Sequence, residues 1–313
     1  MNVLLWHVHG SWTTAFVQGR HTYLVPVLAE RGPDGLGRAR TWTWPSSVVE
    51  LTPEEAAEAA VDVVVLQRPH ELAGLAERWL GGRRPGHDVA AVYLEHNAPE
   101  GDVNDMRHPA ADRADLVVCH VTDFNRLFWD CGTTRTAVIE HGIVDPGPRY
   151  TGELGRVAAV INEPLRRGRV VGADLLASLA AGAGVPLDLF GMGTEPLGGA
   201  DLPQSEMHAC LARRRAYVHP FRWTSLGLAL IEAMQLGMPV VALATTEVPV
   251  AVPAGAGIVS NRMSELTDGL RRMVADPDLA RSMGERGRAH ACERYGLSRF
   301  LAEWDTLLER VAT

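Results

Sequence analysis

Short apolar runs recur along the chain at intervals that fit strands and helices in alternation. VLLWHV (3–8) is closed by Gly10, and VDVVVLQ (61–67) is dense in β-branched residues. Both have the length and composition of buried strands. VAAVYLEH (89–96), DLVVCHV (115–121) and TAVIEHG (136–142) repeat the pattern, while 15–30 and 71–80 carry helical spacing. This alternation predicts a parallel sheet with crossover helices.

The Pro/Gly-rich stretch DPGPRYTG (145–152) interrupts the series and marks a linker. A second series follows it. RVAAVIN (156–162), PLDLFGMG (186–193), AYVHPF (216–221), MPVVALA (238–244) and AGIVS (256–260) read as strands. Helices are expected over 172–184, 206–215, 225–237, 264–275 and 278–294. The last segment, SRFLAEWDTLLERV (298–311), places Phe300, Leu301, Trp304, Leu307, Leu308 and Val311 on one helical face. The fold class is therefore α/β, with two doubly wound, Rossmann-like domains divided near 148/149. In such folds ligands bind beyond the carboxyl ends of the strands, which here points to a cleft between the two halves.

Candidate chemistry concentrates at those strand ends. In HPFRWTSLGLALIEAMQLGMPVVA (219–242), Glu232 lies inside the apolar run Leu228–Met234. A carboxylate there is costly unless paired. Either a ribose diol donating two hydrogen bonds or an ion pair with Arg166 or Arg222 would satisfy it. The amides of Ser225, Leu226 and Gly227 precede the helix, where anions bind. In INEPLRRGRVVGAD (161–174), Arg166, Arg167 and Arg169 surround Gly168 directly after a strand. Arginines bind phosphate oxygens bidentately, so this loop suits a pyrophosphate, although a solvated basic loop has the same composition. Arg213–Arg215 read as a solvated helix end. His96, in EHNAPE (95–100), is either a structural histidine or one that orients a reacting hydroxyl. In HVHGSWTTAF (7–16), Gly10 permits close backbone approach. His7 and His9 share a strand face without a third ligand spaced for a metal. Trp12, Trp42 and Trp44 could stack on a sugar ring, with packing as the alternative.

The motif at 219–242 resembles that of the retaining GT-B glycosyltransferases of family 4, and the order of elements is similar over nearly the whole chain. In that family a glutamate of an E-x7-E element binds the donor ribose, which maps to Glu232. The first glutamate, which contacts the donor sugar, maps to Thr224, and the family's strand-end arginine is replaced by an apolar residue or Asn162. The resemblance implies a GT-B fold. An acceptor-side domain would comprise 1–148 with the last helix (298–313) crossing back onto it, and a nucleotide-sugar domain 149–297. It implies donor contacts from Gly10, Arg166, Arg167, Gly193 in the Gly-Met-Gly turn, Thr224, Ser225, Leu226, Gly227 and Glu232. His9, Trp12 and His96 would face the acceptor substrate, with His96 and Thr224 at the reacting centre. The donor would be a nucleotide diphosphate sugar, GDP- or UDP-linked, with no further cofactor. The acceptor would be a saccharide, a lipid-linked or a small molecule. A catalytically silent partner subunit and a nucleotide-sugar epimerase or hydrolase of the same fold are the rivals.

Composition narrows the field. Across 313 residues the formal net charge is −8, which gives no general attraction to nucleic acid. Lysine is absent, so arginine supplies every basic side chain apart from histidine, and no phosphate-loop lysine exists. No G-x-G-x-x-G follows the first strand, which disfavours a dinucleotide dehydrogenase. The Asp276-Pro277-Asp278 sequence falls between helices and reads as a cap, leaving no Asp-x-Asp at a strand end, so a metal-independent reaction is expected. The four cysteines, far apart in sequence, read as reduced thiols of a cytoplasmic protein, and no signal peptide or spanning segment is expected. Arg78–Arg84 reads as a solvated loop, with peripheral membrane contact as the weaker alternative.

Overall fold

The computed structural model describes residues 1–313. Tertiary contacts divide them into two units, Met1–Val144 with Leu297–Thr313, and Asp145–Gly296. The first holds seven strands: β1 (Asn2–Leu5), β2 (Thr22–Pro26), β3 (Val48–Leu51), β4 (Val63–Leu66), β5 (Ala90–Glu95), β6 (Val117–His120) and β7 (Arg135–Val138). Their order is β3-β2-β1-β4-β5-β6-β7, and every pairing is parallel. Strands such as β4 (VVVL) are buried along their full length, as a parallel sheet covered on both faces requires. Winding reverses between β1 and β4, which makes that edge the switch point of the unit.

The second unit holds β8 (Leu154–Val160), β9 (Leu187–Phe190), β10 (Arg214–His219), β11 (Val240–Ala242) and β12 (Gly257–Val259), all parallel in the order β12-β11-β10-β8-β9. Here the switch point lies between β8 and β10. One face of the sheet packs Val157, Ala159, Ile161, Ala216 and Val218 against Leu179, Leu266 and Leu270 of the covering helices. Asp276 caps helix Pro277–Arg294 by accepting from the Asp278 and Leu279 amides, with Pro277 in the first turn, a use of proline that sacrifices no helical hydrogen bond.

The last helix, Leu297–Ala312, belongs to the first unit and buries Phe300, Trp304, Leu307 and Leu308 there. A Cβ at Gly142 would collide with Phe300, so glycine admits that ring. Asp305 meets His21 at 2.9 Å, and Arg299 donates to the Glu140 and His141 carbonyls at 3.0 and 2.8 Å.

Two local expectations are corrected. The helical segment 15–30 is instead a helix over Gly10–Phe16, a turn, and β2. The apolar residues on either side of Gln18-Gly19-Arg20 belong to different elements, and a window that spans the turn merges them. Arg214 and Arg215 lie in β10, not on a solvated helix end. Arg214 pairs with Asp188 at 2.9 Å, and the buried Arg215 donates to the Gly152 and Val274 carbonyls at 2.6 and 2.8 Å.

Candidate functional site

In the second unit the loops leaving β8, β9 and β10 are tied together at the carboxyl end of the sheet. The Glu163 amide donates to the Met192 carbonyl at 2.8 Å, and the Met192 amide donates to Asn162 Oδ1 at 3.0 Å. This joins the strand-end Asn162 to the Gly191-Met192-Gly193 turn, which Thr194 closes by donating to the Gly191 carbonyl at 2.6 Å. Gly193 has φ +70°, a conformation that favours glycine, beside Glu163. The arginine loop joins the β10 loop in turn. The Arg222 amide donates to the Val170 carbonyl at 2.9 Å, and its guanidinium donates to the Arg169 carbonyl at 2.9 Å. Gly172, at φ +68°, lies so close to the Pro220 carbonyl that a Cβ would overlap it.

The arginines of this loop differ in what they hold. Arg166 is exposed and meets Glu163 at 3.3 Å. Arg169 and Arg222 share Asp174, at 3.2 and 2.6 Å. Arg167 is half-buried and pairs with no carboxylate. Burial, then the neighbouring Arg166 charge, lowers its pKa from the usual guanidinium value. A cation that is partly desolvated and uncompensated favours an anionic ligand.

Glu232 is 2 % exposed on helix Leu228–Leu236. Its Oε1 accepts from Gln204 Nε2 and its Oε2 from His208 Nε2, both at 3.0 Å. Neither Arg166 nor Arg222 is its partner, so the expected arginine pair is replaced by an amide and an imidazole from helix Gln204–Ala212. A carboxylate only accepts, so His208 Nε2 carries the proton. The helix itself starts at Leu228 with Gly227 as its cap, three residues later than expected. Ser225 and Leu226 therefore lie in the approach, and no side chain caps the first turn. Thr224 is half-buried in that approach. Beside Gly227, His219 is 1 % exposed, neither of its ring nitrogens has a hydrogen-bond partner, and burial pushes its pKa down to about 3. A Cβ at Gly227 would press into that ring at 2.5 Å.

In the first unit three imidazoles gather at the carboxyl ends of the strands. His96 follows β5 directly, its ring centroid is 4.0 Å from that of His9, and it stacks 6.2 Å from His141. Gln67, immediately after β4, donates Nε2 to the Trp6 carbonyl at 2.7 Å, which turns its Oε1 toward His96 Nε2 at 3.2 Å. That oxygen only accepts, so Nε2 of His96 holds the proton and Nδ1 keeps its lone pair. Burial, with smaller contributions from His9 and His141, holds His96 well below the usual imidazole range, and burial takes His141 down to about 3. His9 precedes Gly10, where helix Gly10–Phe16 begins.

Three sequence expectations fail here. Trp12 is 0 % exposed, stacked on Phe16 at 4.7 Å and edge-on to Trp304 at 5.6 Å, so it is a core side chain that no sugar ring can reach. Trp44 is also buried, donating to Thr14 Oγ1 at 2.8 Å, while Trp42 is partly exposed beside Gly10. His7 and His9 do not share a strand face. β1 ends at Leu5, and His7 turns to the Gly37 carbonyl at 3.1 Å and to Trp44. Sequence reasoning missed Gln204, His208, Gln67 and His141. Gln204 and His208 are spaced i, i+4, a same-face signal, but nothing in the sequence ties that face to Glu232.

Residues 200–290 match the family model described as glycosyl transferases group 1. A trehalose synthase of Rubrobacter xylanophilus is 32 % identical over 77 residues, which are 25 % of this chain and 18 % of that protein. The chain thus spans under a fifth of the curated relative it matches. Among solved structures, the sucrose-phosphate synthase (tll1590) of Thermosynechococcus elongatus superposes with a TM-score of 0.72 at 14 % identity, over 99 % of this chain and 98 % of that one. Anabaena Alr3699/HepE, solved in complex with UDP and glucose, superposes with a TM-score of 0.70 at 16 % identity, over 98 % and 99 %. The fold of this chain is that of the GT-B glycosyltransferases, and its residues 200–290 carry the signature of glycosyl transferases group 1.

Proposed function

We propose that this protein transfers a sugar from a nucleotide diphosphate sugar to a hydroxyl acceptor, with retention of anomeric configuration and without a metal ion. The observation that carries the reading is the uncompensated Arg167 in a loop bonded to the β10 loop, which leads into the Glu232 helix inside the family-matched segment. On this reading Arg167, with Arg166 beside it, binds the pyrophosphate. Glu232 accepts from the ribose hydroxyls. Gly193, Thr224 and the Ser225–Gly227 backbone contact the phosphate and sugar. Of the UDP- and GDP-linked donors, the UDP-linked one is favoured, since a protein of the same fold was solved with UDP and glucose.

The chemistry follows from these roles. The bond between the anomeric carbon and the leaving phosphate oxygen breaks, and positive charge grows on the sugar while negative charge grows on the nucleotide diphosphate. Arginines and helix-start amides stabilise the latter. The acceptor hydroxyl attacks the same face, and its proton passes to the departing phosphate oxygen. His96, with Gly10 and His9 beside it, orients that hydroxyl through the Nδ1 lone pair, and a depressed pKa keeps the lone pair available at neutral pH.

The test is a thermal-shift screen without metal using UDP, GDP, ADP, dTDP and CDP and their sugar conjugates. A nucleotide at a hundredfold its dissociation constant stabilises by about 2.7 kcal/mol. A selective shift that vanishes in Glu232→Ala supports the reading; a shift that survives this substitution removes Glu232 from the donor site. One observation favours a second reading. Thr224 stands where the resembled family has a glutamate, and a hydroxyl cannot accept bidentately as a carboxylate does. A silent partner subunit shows neither donor hydrolysis nor transfer, and a screen with no shift for any nucleotide favours it, whereas an epimerase or hydrolase forms product without an acceptor.

A further inference from the structure

Glu232 poses a packing problem that the surrounding helix answers in two different ways. Both carboxylate oxygens are already in hydrogen bonds, Oε1 to Gln204 and Oε2 to His208. The two donors differ in depth. His208 is 6 % exposed and lies one turn further along helix Gln204–Ala212, while Gln204 is half-buried in its first turn. An ionised carboxylate offers about four acceptor sites, yet at 2 % exposure no ligand reaches Glu232 unless one of its covering groups gives way. Gln204 is the more exposed of the two donors. Its terminal amide hangs on a flexible side chain, and its rotation needs no change in the helix.

We propose that Gln204 is a placeholder for the ribose diol and that His208 is the positioning residue that fixes Glu232 to receive it. This rests on the reading of Glu232 as the ribose ligand. In the free protein the Gln204 amide supplies a hydrogen bond that the nucleotide supplies later. The buried carboxylate therefore never stands unpaired, a state that carries the full desolvation penalty. His208 stays bonded to Oε2 throughout and sets the rotamer of the carboxylate. The site consequently selects ribonucleotides over 2′-deoxynucleotides, because only a diol replaces the lost amide bond and adds a second one.

The experiment is calorimetric titration of the full chain with UDP, GDP and ADP and with their 2′-deoxy counterparts, alongside melting curves without nucleotide. For whichever base binds, the ribo form is expected to bind about tenfold more tightly than the deoxy form. Gln204→Ala is expected to tighten ribonucleotide binding several-fold while lowering the melting temperature of the free protein. His208→Ala is expected to bring the ribo-to-deoxy ratio close to one, and His208→Gln, which keeps a donor at similar reach, to restore it. Equal or weaker ribonucleotide binding by Gln204→Ala overturns the placeholder, and an unchanged ratio in His208→Ala overturns the positioning role. Gln204→Ala lies in a half-exposed first turn and carries the test even where His208→Ala does not fold. Failure of the underlying reading looks different: no nucleotide binds the unmodified chain, or Glu232→Gln keeps the full ratio.

Discussion

The two units share a doubly wound parallel plan but furnish their strand ends with opposite electrostatics. The second unit gathers charge, with four arginines, Glu163, Asp174 and Glu232, and leaves Arg167 uncompensated. The first unit gathers His9, His96 and His141, with His96 and His141 held neutral by burial. The same architecture serves a permanent charge in one case and a neutral lone pair in the other. The difference comes from desolvation. A guanidinium stays protonated at any accessible pH, so partial burial makes it seek an anion. An imidazole under the same pressure gives up its proton and becomes an acceptor.

Substitutions at the two sites should separate these behaviours. The largest effect is expected for His96→Ala. Turnover should fall by about 10²–10⁴-fold, the usual worth of a positioned proton-handling group, while nucleotide affinity is unchanged. Steady-state kinetics beside nucleotide titration checks this, and equal losses in both would erase the contrast between the units. Arg167→Ala should act the other way, weakening nucleotide binding about tenfold or more, as loss of a charge-assisted bond does. It should have little effect on melting temperature, because the side chain has no ion-pair partner to orphan. Arg166→Ala, already paired and exposed, should cost less.

Gly172→Ala should destabilise the fold by about 1–3 kcal/mol through its positive φ alone, with the Pro220 overlap adding to it. Denaturant melts measure this, and an unperturbed midpoint would mean that the arginine loop is not held against the β10 loop.

Acid should act more gradually. His120, His141 and His219 have folded pKa values pushed down to about 3, below the unfolded value of about 6.5. The unfolded chain therefore binds more protons than the native one between those limits. The stability from keeping these rings neutral is fully present above about pH 6.5 and is lost as pH falls toward 3. Melting midpoints across that range should decline, and His219→Phe, which keeps a ring but removes buried titratable nitrogens that have no hydrogen-bond partner, should flatten the decline.

Much of the architecture was legible in the chain. β-branched runs at helix-sized intervals marked most of the parallel strands, and the Pro/Gly stretch after Val144 marked the boundary between series. β2 was missed because one helical window over 15–30 merges it with the helix before the turn, and β3 (VVEL) because only its first residue is fully buried and it lacks the apolar run of the other strands. At the candidate site the sequence identified Glu232 as a carboxylate in need of a partner and the arginine loop as a basic element after a strand. It did not identify the partner. Arg166 and Arg222 were reasonable in charge, but both are committed to local carboxylates, Glu163 and Asp174.

The sequence by itself determined the α/β alternation, the glycine turns and the placing of charged and imidazole groups after strands. Hydrophobic period and backbone sterics are local, so each segment carries them alone. Only the tertiary structure decided that His208 and Gln204 hold Glu232, that Arg167 alone of its loop lacks a counter-charge, that Gln67 sets the tautomer of His96, and that Trp12 is core. Those outcomes depend on which side chains meet across elements distant in the chain and on how far water is excluded from each. Neither quantity is a property of any single segment.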